Sequence, residues 1–313
     1  MKILVTGGAG FIGSHVAEAY VGAGHDVVVV DDLSSGKRPQ VPAGARFVQL
    51  DVRDPAIREV FRTERPELLS HHAAQMDVRR SVADPLFDAG VNIMGLLNLL
   101  EGAKEVGTRR VLFASSGGAG YGEQDEFPAP ETHKLEPVSP YGVSKRASEL
   151  YLGCYRALTG LEYVAMRYAN VYGPRQDPHG EAGVVAIFAL KLLSGEAPTI
   201  NGDGTQTRDY VYVGDLVRAN LALATHAYCG PLNFGTGIET DVNELFRQVR
   251  RACGSDAPEQ HGPAKPGEQK RSVISPKLAE KIIGWRPEVA LAQGLEQTVA
   301  FFRDQRARAK PTA

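Results

Sequence analysis

The sequence predicts an α/β chain: a doubly wound parallel sheet with helices on both faces, followed by a smaller mixed α/β C-terminal lobe. Three observations predict it. Short β-branched runs alternate with helical patterns over the first half; a glycine loop, Gly7-x-x-Gly10-x-x-Gly13, follows the first run at once; and the alternation gives way to turn-rich sequence after Asn170.

The first run, Ile3-Leu4-Val5, is apolar throughout and ends in Thr6-Gly7, so it reads as a buried strand closed by a tight turn. Residues 11–23 carry a helical pattern, and residues 27–30, 47–50, 68–70, 110–114 and 163–167 read as further strands. Between the later strands lie two expected helices, residues 91–106 and 141–159. Ser139, an N-cap residue, and Pro140, whose fixed φ suits a first turn, announce the second of them. After Asn170 the turn formers Gly173-Pro174-Arg175 and Asn201-Gly202-Asp203-Gly204 bracket one expected helix over residues 184–193. The expected organisation is a sheet domain over residues 1–170, rejoined by about 209–235, with 171–208 and 236–313 forming the second lobe. Residues 254–266 read as linker-like. Trp285, in Gly284-Trp285-Arg286-Pro287, reads as a core anchor of the second lobe because tryptophan buries so much area.

Composition excludes several function classes. The chain of 313 residues has 35 basic and 37 acidic side chains, a net charge of −2, which offers no electrostatic footprint for nucleic acid or an anionic membrane. Only residues 303–310 are locally basic, and they are expected to form a solvated tail. The three cysteines, Cys154, Cys229 and Cys253, show no Cys-x-x-Cys spacing and read as reduced thiols of a cytoplasmic protein. The first strand begins at the start of the chain and leaves no room for a signal peptide, and the apolar stretch 182–193 is interrupted by Lys191 and too short to span a bilayer.

The first strand, the glycine loop and the helix that follows form the order needed to seat a pyrophosphate on a helix N-terminus, because glycines let the backbone approach it closely. Asp31 is the first acidic residue after the second strand, placed to accept hydrogen bonds from adenosine ribose hydroxyls and to repel a 2′-phosphate. NAD is therefore expected over NADP, with Lys37 and Arg38 close behind as the feature that complicates the choice. Asp51-Val52, after the third strand, reads equally as the adenine edge of such a site or as the cap of a turn.

Tyr141 and Lys145 stand four residues apart, so on a helix they share one face. Bringing a phenol from a pKa of about 10 to near 7 requires roughly 3 units, or about 4 kcal/mol in favour of the phenolate. A close ammonium, the positive helix N-terminus and a cationic nicotinamide together can supply it.

The segments Thr6-Gly7-Gly8-Ala9-Gly10-Phe11-Ile12-Gly13, Asp31-Asp32-Leu33-Ser34, His72-Ala73-Ala74-Gln75, Tyr141-Gly142-Val143-Ser144-Lys145, Arg167-Tyr168-Ala169-Asn170-Val171-Tyr172-Gly173-Pro174 and Arg208-Asp209-Tyr210-Val211-Tyr212-Val213 occur in that order. In these residues the chain resembles the extended short-chain dehydrogenase/reductase family, most closely its UDP-glucose 4-epimerases, from Lys2 to about Arg303. The resemblance implies a Rossmann-like fold holding NAD through Gly7, Gly10, Phe11, Ile12, Gly13, Asp31, Asp51, Val52, Ala73, Ala74, Gln75, Asn92, Tyr141, Lys145 and Tyr168. It also implies a nucleotide-sugar site with Asn170, Arg208 and Glu268 at the diphosphate or ribose; read without the resemblance, these are ordinary loop residues and a solvated charge. Ser272 falls where such enzymes limit the space for the sugar's C2 substituent, and a small side chain there implies room for an N-acetyl group. The helices over 91–106 and 141–159 resemble those through which the family forms homodimers.

The chain departs from the pattern twice. Gly117 stands where epimerases carry Ser or Thr, so the hydroxyl falls to Ser116 or, second, to Ser115. Lys265-Pro266-Gly267-Glu268 replaces Arg-Pro-Gly-Asp, and Lys265 lacks the bidentate fork of arginine. The resemblance implies C4 epimerisation of a UDP-hexose: Tyr141 acts as general base, C4 gives a hydride to NAD, and the 4-keto sugar turns before the hydride returns. Ser116 would bridge the sugar oxygen and the phenolate. The related 4,6-dehydratases place an Asp-Glu pair after that hydroxyl, where this chain has Gly117, Gly118 and Ala119. Other nucleotide-sugar oxidoreductases and a non-catalytic NAD-sensing protein are the remaining readings. His71-His72 resembles a metal pair only superficially, because neighbours on an extended chain point to opposite faces and a third ligand is lacking.

Overall fold

An apolar run without polar alternation must be covered on both sides, and the four valines at 27–30 are at most 1% exposed. The computed structural model describes residues 1–178, 183–264 and 269–309. Its strands are β1 (Lys2–Thr6), β2 (Asp26–Asp31), β3 (Arg46–Gln49), β4 (Leu68–His71), β5 (Arg110–Ser116), β6 (Glu162–Tyr168), β7 (Asn170–Tyr172), β8 (Thr199–Asn201), β9 (Thr207–Arg208), β10 (Tyr210–Tyr212), β11 (Gly230–Phe234), β12 (Thr240–Asp241), β13 (Gln260–Gly262) and β14 (Arg271–Ser272). Seven of them form one parallel sheet in the order β11-β6-β5-β4-β1-β2-β3. From β1 the chain winds outward one way to β3 and then the other way from β4 to β11. Between β1 and β4 the winding reverses, and a crevice opens there at the carboxyl ends of the strands.

The helices are α1 (Phe11–Gly22), α2 (Ile57–Glu64), α3 (Val78–Ala83), α4 (Pro85–Ala89), α5 (Gly95–Val106), α6 (Gly117–Tyr121), α7 (Pro140–Thr159), α8 (Val184–Leu193), α9 (Val213–Leu223), α10 (Val242–Cys253), α11 (Lys277–Ile283) and α12 (Leu291–Ala309). One face of the sheet is covered by α1 and α9, whose Val16, Tyr20, Leu216 and Leu223 share a core with Ile3, Val5 and Val29. The other face is covered by α2, α5 and α7, with Phe61, Leu99 and Leu152 packed on Leu4, Val28 and Phe113. A third core joins α8, α10 and α12 to Tyr172 and Tyr210.

Several sequence expectations needed correction. The helix expected over 91–106 begins as a π turn, Gly90–Met94, that continues α4 into α5. The stretch expected as a linker, residues 254–266, contains β13, which pairs in parallel with β8. The basic end is not a tail up to Ala309: it is the C-terminal part of α12, in which Arg303 donates to the carbonyls of Ala252 and Cys253, both at 3.5 Å, and Arg306 and Arg308 lie in the last turn. Trp285 is buried, but in the core of the large sheet, 5.0 Å from Phe234 of β11, with its Nε1 donating to the carbonyl of Asp215 at 2.8 Å.

Candidate active site

The glycine loop closes on itself at the crevice. Gly7 has φ +69° and lies so near the chain after β4 that a Cβ there would sit 2.5 Å from the nitrogen of Ala73; one on Gly13 would sit 2.2 Å from the carbonyl oxygen of Gly7. Gly10, the N-cap of α1, offers no side-chain cap, and the first turn holds no acid. Phe11 and Ile12 pack their partly buried side chains on the core beside it. The uncapped N–H groups of that turn suit a diphosphate.

Asp31 ends β2 beneath this loop. Its carboxylate accepts the N–H of Ala9 and of Leu33, both at 2.9 Å, and burial raises its pKa against the lowering effect of these bonds. Each oxygen keeps a lone pair for a ribose hydroxyl. Arg38 does not compensate that charge at the ribose position: its guanidinium lies 4.4 Å above the ring of Phe47. Asp51 caps a turn, with both oxygens taken by Arg53 at 2.6–3.0 Å. Val52 points into the core against Gly95, and its carbonyl is bonded by Asn98 at 3.0 Å.

Beyond β4, Ala73 and Ala74 lead to Gln75, whose backbone N–H and C=O are both held by the side-chain amide of Asn92, at 3.0 and 2.9 Å. His71 shares a 2.6 Å hydrogen bond with Thr6, and His72 one of 2.9 Å with Ser70. Burial first, and Lys145 next, push both rings down, His72 to about 3, so they are neutral.

Ser139 caps α7 by accepting the N–H of Gly142 at 3.1 Å, with Pro140 in the first turn. Tyr141 therefore stands within the positive end of the helix, its own N–H donated to Ser81 at 3.2 Å. Lys145, one turn on, is buried and donates to the carbonyl of Ala114 at 2.8 Å; its Nζ lies 5.7 Å from the centre of the Tyr141 ring. Burial lowers its pKa to about 8, against Asp88 and Glu149, which raise it.

β5 separates the two serines. Ser115 donates to Glu149 at 2.7 Å on the α7 side, whereas Ser116 ends the strand and caps α6, accepting the N–H of Ala119 at 3.2 Å. At Gly117 a Cβ would lie 2.7 Å from Ile274, so a serine does not fit there without a shift. Gly142 brings α7 onto α6, since a Cβ on it would meet the carbonyl oxygen of Ala119 at 2.4 Å. Tyr168 ends β6 with its phenol buried in the core shared with α9, accepting from Asn220 at 3.0 Å.

Asn170, Arg208 and Ser272 come together through short strands. Asn170 donates its N–H to the carbonyl of Asp209 at 2.8 Å, and Arg208 is the register partner of Ser272 in the parallel pair β9–β14. Ser272 Oγ lies 3.5 Å from where a Cβ on Gly118 would stand, next to the Ser116 turn. Asp209 fastens this junction, accepting from Thr236 at 2.6 and 2.8 Å and from Gly237 at 3.1 Å. Glu268, with Lys265, lies outside the described residues.

Sequence reasoning missed Asp88, Ser81, Ser144, Glu149 and Asp209. Asp88 left one signal: a carboxylate four residues before an asparagine, Asn92, a spacing that puts both polar side chains on one helical face.

Residues 3–233 match the model of the NAD dependent epimerase/dehydratase family. The chain is 45% identical to the UDP-glucose 4-epimerase of Mycolicibacterium smegmatis, over 97% of this chain and 99% of that one. The solved structure of the Thermotoga maritima UDP-glucose 4-epimerase with UDP-glucose superposes with a TM-score of 0.95 at 46% identity, over 97% of this chain and 99% of that one. That of the Thermus thermophilus UDP-glucose 4-epimerase with NAD gives 0.92 at 47%, with the same coverage. A glycine loop open over Gly10, a buried Asp31 and the Tyr141–Lys145 turn at one crevice agree with that likeness. The chain belongs to the NAD dependent epimerase/dehydratase family of extended short-chain dehydrogenases/reductases, as an NAD-using enzyme similar to the UDP-glucose 4-epimerases.

Proposed function

We propose that the protein epimerises a UDP-hexose at C4, interconverting UDP-glucose and UDP-galactose. The observation that carries this reading is the set Tyr141, Lys145 and Ser116 around the ends of β5 and α7, with Gly117, Gly118 and Ala119 in place of any acid beside the hydroxyl. A dehydratase needs a group there to move protons at C5 and C6. These three residues have none.

NAD, when bound, accepts the hydride from C4 and returns it. Tyr141 takes the proton of the 4-hydroxyl as the hydride leaves, and Lys145 holds positive charge beside the phenolate. Ser116 orients the same oxygen. The 4-keto sugar is neutral at its ring and turns about its link to the diphosphate, while Arg208, Asn170 and Glu268 hold the nucleotide end. With the opposite face of C4 now turned toward the hydride source, Tyr141 returns the proton to O4, so C4 inverts with no net redox change.

The cofactor contacts assigned above, with Asp31 at the ribose and the first turn of α1 at the diphosphate, belong to this proposal. So do the division into residues 1–170 with about 209–235 and the remaining lobe, and a cytoplasmic setting, supported by three unpaired thiols. A homodimer through α4, α5 and α7 is supported by Leu86, Met94, Val143, Leu150 and Leu158, all at least half exposed. The deciding experiment is incubation with UDP-glucose and detection of UDP-galactose and retained NAD, compared with Tyr141→Phe. Epimerisation by wild type and loss of roughly 10²–10⁴-fold in the variant are expected. NAD and UDP binding without turnover would establish a sensor instead.

A further inference from the structure

Asp88 is fully buried in α4, and the three side-chain donors that reach it are neutral. Its Oδ1 accepts from Gln75 Nε2 and Asn92 Nδ2, both at 3.0 Å, and its Oδ2 accepts from the Ser144 hydroxyl at 2.6 Å. Only an ionised carboxylate accepts at both oxygens without donating. Holding such a charge inside a protein is costly unless a cation answers it. The groups at its ends are not incidental: Gln75 and Asn92 shape the crevice beyond β4, and Ser144 immediately precedes Lys145. The π turn Gly90–Met94 swings Asn92 into this network, and its carbonyl accepts from Ser148 of α7 at 3.2 Å.

We propose that Asp88 is a positioning residue that acts through Lys145, its buried charge serving as the remote counter-charge of that ammonium while its hydrogen bonds lock α7 to the loop at Gln75. The proposal rests on the function read above for Tyr141 and Lys145. The titratable and charged groups facing Lys145 are Tyr141 and Glu149 on α7, Asp88 on α4, and His71 and His72 at the end of β4. Both histidines are neutral, so the two carboxylates are what oppose the desolvation of the ammonium. Glu149 is already paired with Arg167 at 2.7 Å, whereas the side chains hydrogen-bonded to Asp88 are all neutral, which leaves the charge of Asp88 to answer Lys145. Without it, Lys145 loses its proton at lower pH, and the phenolate loses its neighbouring charge.

The test titrates Lys145 in the full-length protein by ¹³C NMR of labelled lysine, the signal being assigned by its loss in Lys145→Arg. Wild type is expected to titrate near pH 8, and Asp88→Asn about one pH unit lower. Ser144→Ala removes a hydrogen bond but keeps the charge, and is expected to titrate with wild type; Asp88→Glu is expected to restore most of the shift. In turnover of UDP-glucose the basic limb of kcat moves with Lys145 in Asp88→Asn, while KM changes less than about two-fold. A merely structural Asp88 would lower kcat without moving that limb. An Asp88→Asn midpoint equal to that of wild type overturns the proposal. If that variant does not fold, the carboxyl ¹³C shift of Asp88 in wild type decides: a carboxylate at pH 7 upholds the proposal and a protonated acid overturns it. Absence of turnover in wild type would sink the epimerase reading alone, since the NMR arms need no substrate.

Discussion

Arg167 of β6 grips Glu149 of α7 with two prongs, Nε to Oε1 at 3.0 Å and Nη2 to Oε2 at 2.7 Å, both side chains buried. Glu149 stands one turn past Lys145 and also accepts from Ser115, while Arg167 reaches on to the phenol of Tyr121 at 2.9 Å. Tyr121 in turn donates to Asn233 of β11 at 2.7 Å. One polar network thus ties the helix of Tyr141 to β5, α6, β6 and β11. Breaking it from one side leaves a buried charge unanswered. Glu149→Gln is expected to lower the free energy of unfolding by about 3 kcal/mol, read from the denaturant midpoint, and Glu149→Leu with Arg167→Met should recover most of that. A double variant as unstable as the single one would show that the ion pair contributes net stability.

Acid should loosen the fold through His71 and His72. Their folded pKa values lie below the ordinary value, His72 at about 3, chiefly because of burial. The unfolded chain takes up protons at both rings below about pH 6.5 and the native chain does not, so stability is full above that pH and falls as pH drops towards 4. The expected slope is about 1.4 kcal/mol per pH unit from His72, and His71 adds to it in the same direction. His72→Gln should remove one ring's share, measured by chemical denaturation across pH 4–7.

The two serines of β5 should fail differently. Ser115→Ala deletes a bond to Glu149 and is expected to cost about 1 kcal/mol of stability with kcat nearly unchanged. Ser116→Ala is expected to lower kcat by roughly 10²-fold, while Ser116→Thr keeps the cap and most of the rate. A steady-state assay beside a melting curve separates them; equal kcat in Ser116→Ala and wild type would remove Ser116 from the chemistry.

Restoring the usual hydroxyl at Gly117 should not help by itself. The side chain would collide with Ile274, so Gly117→Ser is expected to lose about 1–3 kcal/mol of stability and part of its activity, and adding Ile274→Val should recover some of both. Thermal melts of the three proteins check this.

Ser272 is buried against Gly118, on the register position opposite Arg208. Its small volume is expected to admit UDP-N-acetylglucosamine, and Ser272→Tyr should lower kcat/KM for that sugar at least about 10-fold more than for UDP-glucose. Equal effects on the two substrates would remove the basis for N-acetyl acceptance.

The sequence by itself determined the strands β1 to β6, the glycine turn, the capped start of α7 and the shared face of Tyr141 and Lys145, because each depends on neighbours within a few residues: apolar runs, a proline, glycines, a spacing of four. It named both serines of β5 and put Ser116 first, but it could not show that Ser115 is engaged elsewhere, since that depends on which face meets Glu149. It gave no sign that Ile274 fills the space at Gly117, that Arg208 and Ser272 lie side by side, or that Trp285 joins the core of the large sheet. The burial of the charges on Asp88 and Arg167 is not legible locally: folding surrounds them with donors and acceptors from distant segments, Gln75 and Ser144 for the one, Glu149, Tyr121 and Glu131 for the other. Local order is written in local sequence; the state of a buried charge is decided by groups far along the chain, which only the tertiary fold brings within hydrogen-bond reach.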